Sequence, residues 1–324
     1  MKTPLPRPAA SKSPALVLGL AITAGLSAGC TEGFDPYNRL TDMRVLAIQS
    51  EPAAPAPGET TALTPLIYLP PGDEVDSLSW SWCPFSGSAY EGYPCLINEE
   101  ELAALGGGSA GDIPPYDLGQ GETASFEHGL DPALLAAVCA GTADQPELLD
   151  CDGGFPVQIK LTARSAEGEE VDTVRTLRLR FDDSHEPNQN PVVEGLQAVL
   201  DDDEQAIDGA EPTVILPRRE ETVVRAQVPD SAIESYTGLS DDGVSEERVE
   251  RLLITWFVES GDTKSQRTAF IDDIEPLEDA VENEWEPEGA DDYPRDTSEI
   301  VVVVRDDRDG VAWMRGMVTL GEQP

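Results

Sequence analysis

Apolar and polar residues alternate in several short runs along the chain, and this period of two predicts β-strands. The clearest run is residues 78–83, where the alternation places Trp80 and Trp82 on one face. Turns rich in proline and glycine, such as residues 55–60, separate the runs. The pattern predicts an all-β protein with antiparallel sheets.

The same order of runs occurs twice. The first segment ends in a predicted hairpin of residues 157–161 and 171–181. The second contains a tryptophan strand at 252–258 and ends in a hairpin around Asp309-Gly310, a strong turn signal. A polar, proline-bounded linker lies between them. We therefore predict two tandem β-sandwich domains, residues 43–186 and residues 187–322.

One tryptophan strand lies in the middle of each segment, and this arrangement resembles immunoglobulin-like (Ig-like) domains over most of residues 43–320. We expect Trp80, Trp82 and Trp256 to lie in the core, and the alternative is an exposed platform on which carbohydrate stacks. Trp313, in the last strand, is also expected in the core.

Two short helices are expected as inserts in the first sandwich. Residues 98–101 open one that ends at Gly106, and Asp131-Pro132 caps another that runs to Cys139. In the second domain, residues 271–296 hold twelve acidic residues and one arginine, so we expect a solvated, mobile loop there.

The net charge of the chain disfavours two classes of binding partner. The 324 residues include 63 Asp and Glu against 21 Lys and Arg, a net charge of −42. Nucleic acid and anionic lipid headgroups require a basic surface, so neither is expected as the main partner.

The N-terminus predicts export. Lys2, Arg7 and Lys12 precede the apolar run 15–26, which makes residues 1–29 a signal peptide. Residues 27–30, Ser-Ala-Gly-Cys, resemble the lipobox of bacterial lipoproteins, although that family favours Leu where Ser27 stands. The resemblance implies that Cys30 carries diacylglycerol, with a plain cleaved signal as the alternative.

Behind the lipobox, residues 30–42 are expected to be the lipidated cysteine and a tether. The whole chain resembles acidic lipoproteins of myxobacterial type that carry Ig-like domains. That resemblance supplies no activity. Thr31 follows the cysteine, and the lack of Asp at this position is compatible with outer-membrane sorting in well-studied envelope lipoproteins, so we expect a cell-envelope protein attached to the outer membrane on its periplasmic or surface face.

Four further cysteines fall into two pairs of equal spacing. Cys83 and Cys95 are 12 residues apart, and so are Cys139 and Cys151. Four cysteines allow three connectivities, of which we favour the two sequential disulfides because they staple the inserts locally. Metal binding by thiolates is disfavoured, since no C-x-x-C spacing occurs and export favours disulfides.

Nothing in the sequence favours catalysis. The only histidines, His128 and His185, are expected in exposed loops, and no G-x-S-x-G elbow occurs. A secreted hydrolase with paired carboxylates is kept as a third hypothesis, because acidic residues are abundant.

Calcium is the better-motivated ligand, since hard cations take oxygen ligands. The linker 182–191 loosely resembles the calcium-binding junctions of cadherin-like repeats, with Asp182, Asp183, Asn188 and Asn190 as candidates. Its spacing departs from that pattern. Residues 305–310 lack the EF-hand ligand order and are interpreted as a hairpin turn.

These observations predict a lipid-anchored, non-catalytic binding or structural module without a cofactor. The membrane is the expected partner, with an envelope protein or a glycan as a second one. A calcium-dependent adhesion or assembly module is the alternative.

Overall fold

The computed structural model describes residues 36–321 apart from 106–112, 143–148, 152, 182–186, 208, 210 and 240–244. All described residues belong to one compact unit, Pro36–Pro324. No described helix is long and apolar enough to cross a membrane.

Seven strands of the described chain form the first sandwich. They are β1 (Arg44–Glu51), β2 (Thr60–Tyr68), β3 (Val75–Cys83), β4 (Asp117–Gln120), β5 (Ala124–Glu127), β6 (Phe155–Ser165) and β7 (Glu170–Leu179). One antiparallel sheet has the order β1-β2-β5 and the other the order β4-β3-β6-β7. This division of strands is that of an Ig-like sandwich, as the sequence predicts.

The core of the first sandwich forms around the predicted tryptophan strand. Trp80 and Trp82 are both 1% exposed, because the alternation along β3 turns them to the same side. Each indole N–H donates to a main-chain carbonyl, Trp80 to Gly121 and Trp82 to Pro115. The core interpretation of these two tryptophans is confirmed.

Both predicted helices are present, as α1 (Glu99–Leu105) and α2 (Pro132–Thr142). The start of α1 has a reciprocal capping arrangement: the Asn98 side chain accepts from the Glu101 N–H, and the Glu101 carboxylate accepts from the Asn98 N–H. Asp131 caps α2 by accepting from the Ala133 N–H.

In the second domain, the described residues form twelve strands. They are β8 (Gly195–Leu200), β9 (Asp203–Ala206), β10 (Ile215–Pro217), β11 (Thr222–Gln227), β12 (Ser235–Leu239), β13 (Ser245–Val249), β14 (Leu252–Val258), β15 (Asp262–Thr263), β16 (Arg267–Phe270), β17 (Glu282–Glu286), β18 (Thr297–Asp306) and β19 (Val311–Gly321). The facing sheets have the orders β15-β17-β11-β8-β9 and β10-β19-β18-β14-β16, and β12 and β13 pair separately. These sheets form the second sandwich, with Trp256 fully buried between them.

The outer edge of β19 is covered by the chain that precedes β11. β10 pairs in parallel with residues 319–321, and Gly209 bridges to Gly316 in the same direction. Gly316 is needed here, because a Cβ at that position would lie 2.4 Å from the Ile207 side chain. β10 therefore covers the edge of β19 and becomes the edge strand of this sheet.

The prediction of a mobile acidic loop at 271–296 is wrong for its central part, which forms a helix, α3 (Leu277–Ala280), and the strand β17. Asn283 and Trp285 turn inward along β17, whereas Glu282, Glu284 and Glu286 turn outward. The high average charge conceals this alternation, and Trp285 is fully buried.

The two sandwiches share an apolar cluster, here called the shared cluster. Its first-sandwich members are Leu46, Ala47, Leu66 and Tyr68, its second-sandwich members are Phe257, Val301, Val303 and Val311, and Leu40 completes it. Trp313 is half-buried and packs against this cluster rather than inside either sandwich.

Part of the predicted tether also packs against the second sandwich. The Leu40 N–H donates to the Val258 carbonyl at 2.8 Å, and the Asn38 side chain donates to the Trp256 carbonyl at 2.8 Å. Residues 36–40 are thus bound along β14, and the expectation of a free tether as far as residue 42 is wrong for them.

Candidate functional site

A cavity of about 250 Å³ lies where the two sandwiches meet, and we call it the junction cavity. Three pieces of backbone surround it: residues 45–48 of β1, residues 173–176 of β7, and residues 305–311 of the β18–β19 hairpin. β1 and β7 are edge strands of different sheets, so the cavity lies at the open side of the first sandwich.

Arg175 extends across this opening from β7. Its two terminal nitrogens donate to the main-chain carbonyls of Ile48 and Asp309, and its Nε donates to the Thr176 carbonyl at 3.2 Å. Burial lowers the pKa of Arg175 to about 10, against the attraction of nearby aspartates, so the side chain is still cationic at neutral pH.

Arg305 enters the cavity from the opposite wall, on β18. Its Nη2 donates to the Leu46 carbonyl at 2.6 Å, and burial lowers its pKa. Neither Arg305 nor Arg175 forms a salt bridge with a described residue. Arg178, three residues further along β7, pairs with both Asp309 at 2.8 Å and Asp150 at 3.0 Å.

The turn between β18 and β19, here called the junction hairpin (residues 306–310), is held rigidly. Asp306 accepts hydrogen bonds from the N–H groups of Gly310 at 2.6 Å and Arg308 at 2.9 Å. Asp309 has a left-handed backbone with φ of 73°, which Asp tolerates better than most residues. The predicted turn at Asp309-Gly310 is present, and it projects from the second sandwich into the wall of the junction cavity.

A charged network holds the other side of the junction hairpin. Arg308 pairs with Glu250 at 2.7 Å and with Glu234, and it stacks over the Tyr236 ring at 4.4 Å. Burial, with the nearby charge of Asp306, raises the pKa of Glu250 to about 7 despite the attraction of Arg308. The network is therefore sensitive to pH near neutrality.

Two of the calcium candidates belong to this junction. Asn188 donates to the Asp306 carboxylate at 3.2 Å and to the Arg308 carbonyl at 3.1 Å. Asn190 donates to the Ser50 carbonyl at 2.7 Å and accepts from the Val311 N–H at 2.9 Å, so it connects the sandwiches.

The other two candidates, Asp182 and Asp183, lie outside the described residues, as do His185 and Cys30. Within the described part of the chain, no group of three or more His, Cys, Asp or Glu side chains is arranged to hold a metal ion. Calcium binding stays a prediction.

The two cysteine pairs differ. Cys139 and Cys151 form a disulfide that joins α2 to the segment before β6, as predicted. Cys83 and Cys95 are free thiols, and the prediction of a second disulfide is wrong in this structure. An isolated antiparallel backbone β-bridge between Ser86 and Cys95 places the Cys95 thiol within hydrogen-bonding contact of the Cys83 thiol, without a covalent bond. Burial raises the pKa of Cys83 to about 12.

His128 is buried, not exposed as the sequence suggested. Its backbone continues the pairing of β2 with β5, since its N–H donates to Glu59 and its carbonyl accepts from Gly58. Its ring Nε2 lies 2.7 Å from the Arg180 carbonyl, and burial lowers its pKa. This arrangement gives the histidine a structural contact.

Sequence reasoning missed Arg175 and Arg305, although a signal was available. By the period of two, Arg175 shares a face with the buried Leu177 and Leu179, and Arg305 follows the buried Val301 and Val303 on theirs. A single arginine on an inward-facing strand position is unusual, because charged residues are rarely buried without a partner.

Comparisons with known proteins add little to this picture. No protein-family model and no curated protein matches the chain. Among solved structures, murine CEACAM1b aligns with 7% identity and a TM-score of 0.22, over 85% of this chain and 99% of that one. The D00-D0 domain of intimin aligns with 8% identity and a TM-score of 0.22, over 87% and 99%.

SGBP-B of the Bacteroides ovatus mixed-linkage glucan utilization locus, in complex with a mixed-linkage heptasaccharide, aligns with 7% identity and a TM-score of 0.18, over 87% of this chain and 71% of that one. Superpositions of this quality carry no argument about function. The Ig-like assignment of the fold rests instead on the strand order described above.

Proposed function

We propose that this protein is a non-catalytic binding module of the cell envelope, attached to a membrane through lipid on Cys30. The junction cavity is the observation that supports a binding function: it lies beside the shared cluster, between two sandwiches that pack as one unit. Such a body holds a site in fixed geometry, because its walls belong to paired strands.

The lipid part of the proposal rests on the sequence 27–30 and has a geometric consequence. Pro36 lies six residues after Cys30, and residues 36–40 already pack against β14. Six residues span at most about 20 Å. A lipid on Cys30 would therefore keep the body close to the bilayer surface.

Calcium is left out of this proposal. The two described candidates, Asn188 and Asn190, already bind protein groups across the junction. A hydrolase with paired carboxylates is also left out, because both carboxylates of the junction cavity are engaged: Asp306 accepts from the N–H groups of Gly310 and Arg308, and Asp309 pairs with Arg178.

The lipid attachment is tested by expressing the full-length chain in a bacterial host with radiolabelled palmitate. The wild type is expected to take up label and to sediment with membranes, whereas Cys30→Ala should be unlabelled and lose membrane retention. Cys95→Ala is the matched control, since Cys95 is an exposed free thiol. Membrane retention of Cys30→Ala equal to that of wild type would refute the anchor.

A further inference from the structure

We propose that the junction cavity binds a small organic carboxylate, held by the guanidinium groups of Arg175 and Arg305. This inference deepens the proposed function, on which it rests, by giving the module a ligand class. It depends on the geometry of the cavity and not on the lipid.

The first argument is the charge. Arg175 and Arg305 lie in one cavity and form no salt bridge with a described residue, in a chain with 63 acidic and 21 basic side chains. Most other described arginines pair with a carboxylate, as Arg315 does with Glu299 at 2.5 Å. Asp306 and Asp309 attract Arg175 electrostatically without forming an ion pair with it, so a ligand carboxylate would be the direct anionic partner that the described residues do not give these two guanidinium groups.

The second argument is the number of hydrogen-bond donors. A guanidinium has five N–H groups. Arg305 uses one of them, on the Leu46 carbonyl, and Arg175 uses three, on the carbonyls of Ile48, Asp309 and Thr176. The remaining donors have no acceptor among the described residues. A carboxylate matches the planar fork of a guanidinium.

The third argument selects a carboxylate over phosphate. Asp306 and Asp309 also line the cavity, and their charges disfavour a second negative charge on the ligand. The walls include the apolar residues Val45, Ile48 and Val311, which suit the body of an organic acid. A volume of about 250 Å³ limits the ligand to a small molecule.

The test uses benzoate as the probe and benzamide as its uncharged counterpart, titrated into the full-length chain in neutral detergent and measured by isothermal calorimetry. Benzoate is expected to bind saturably, and benzamide and inorganic phosphate at least tenfold more weakly. Since hydrogen bonds to charged groups are worth about 1.5–3 kcal/mol, Arg305→Met should weaken benzoate binding by roughly ten- to a hundredfold.

Two further variants make the result decisive. Arg305→Lys keeps the charge without the fork and should bind benzoate with intermediate affinity, which also decides the matter if Arg305→Met fails to fold. Arg164→Met, at an exposed arginine of β6, should bind like wild type. No saturable binding of benzoate, equal binding of benzamide, tighter binding of phosphate, or an unchanged affinity in the Arg305 variants would each overturn the proposal. Palmitate labelling of Cys30 is independent of these results.

Discussion

The corresponding edges of the two sandwiches differ: β19 of the second has a strand on its outer side, and β7 of the first has none among the described strands. In the second, the chain from Gly209 to β10 runs parallel to β19 and pairs with it, so the last strand has a neighbour on both sides. In the first, β7 is the edge of its sheet and no described strand pairs with its outer side. Arg175, Arg305 and the junction hairpin fill part of that gap, and the junction cavity occupies the rest.

The difference shows how a binding site can arise from an incomplete fold. A strand paired with β7 would satisfy the outward backbone groups of β7 and leave no space for the junction cavity. β10 has this role beside β19. Here the charged side chains of Arg175 and Arg305 donate to only two carbonyls of β1, those of Ile48 and Leu46. The first sandwich therefore has an opening lined by Arg175 and Arg305 together with Asp306 and Asp309, where the second has a strand paired along β19.

The largest effect is expected from breaking the closed edge. Leu216→Ala removes a fully buried side chain from β10 and should lower the free energy of unfolding by about 2–5 kcal/mol. Ile215→Ala, at the adjacent but 45% exposed position, is the control and should change it by no more than about 0.5 kcal/mol. Urea unfolding measures both. Equal effects of the two substitutions would show that β10 does not close a core.

A smaller loss is expected at the open edge. Arg175→Met leaves the carbonyls of Ile48 and Asp309 without their donor, but it also removes a desolvated cation. The net loss should be about 1–2 kcal/mol, measured as above. Arg164→Met is the surface control, with a change below about 0.5 kcal/mol. A more stable Arg175→Met would mean that burying the charge costs more than its hydrogen bonds contribute.

A pH-dependent effect is expected in the network behind the junction hairpin. The pKa of Glu250 is raised from 4.5 to about 7 in the folded chain. Its contribution to stability is therefore fully present below about pH 4.5 and is lost as the pH rises through about 7. Glu250→Gln keeps an uncharged side chain, so its stability relative to wild type should increase between pH 4.5 and 7.5.

Urea titrations at several pH values measure that difference directly. Glu246→Gln, on the neighbouring strand β13, is the control and should follow wild type, because its side chain is about half exposed and pairs with Arg248 at the surface. A difference between Glu250→Gln and wild type that is constant with pH would show that Glu250 is ionised throughout.

The sequence predicted the regular parts of the fold well. Trp80 and Trp82 could be assigned to the core because alternation is a local property of a strand, and Asp309-Gly310 could be assigned to a turn because left-handed backbone favours such residues. Trp285 was missed, since the surrounding carboxylates dominate any average over the segment. Cys83 and Cys95 have the same spacing as the bonded pair, but spacing alone does not set the approach of two sulfur atoms.

The candidate site could not be predicted in the same way. Arg175 donates to a carbonyl 127 residues away, and Arg305 to one 259 residues away. Pairs so distant in the chain meet only after the sandwiches have packed on the shared cluster, and no local pattern encodes that packing.

By itself the sequence determined two sandwiches, their turns, their tryptophan cores and the inserted helices, because each follows from side-chain periodicity and backbone preference within a few residues. The tertiary structure alone decided that the sandwiches share an apolar cluster, that β10 covers the edge of β19 while β7 has no described partner on its outer side, and that two arginines without a salt bridge to a described residue meet in the opening. The physical reason is that burial and charge pairing depend on which surfaces come together, and that choice is made by contacts between the domains.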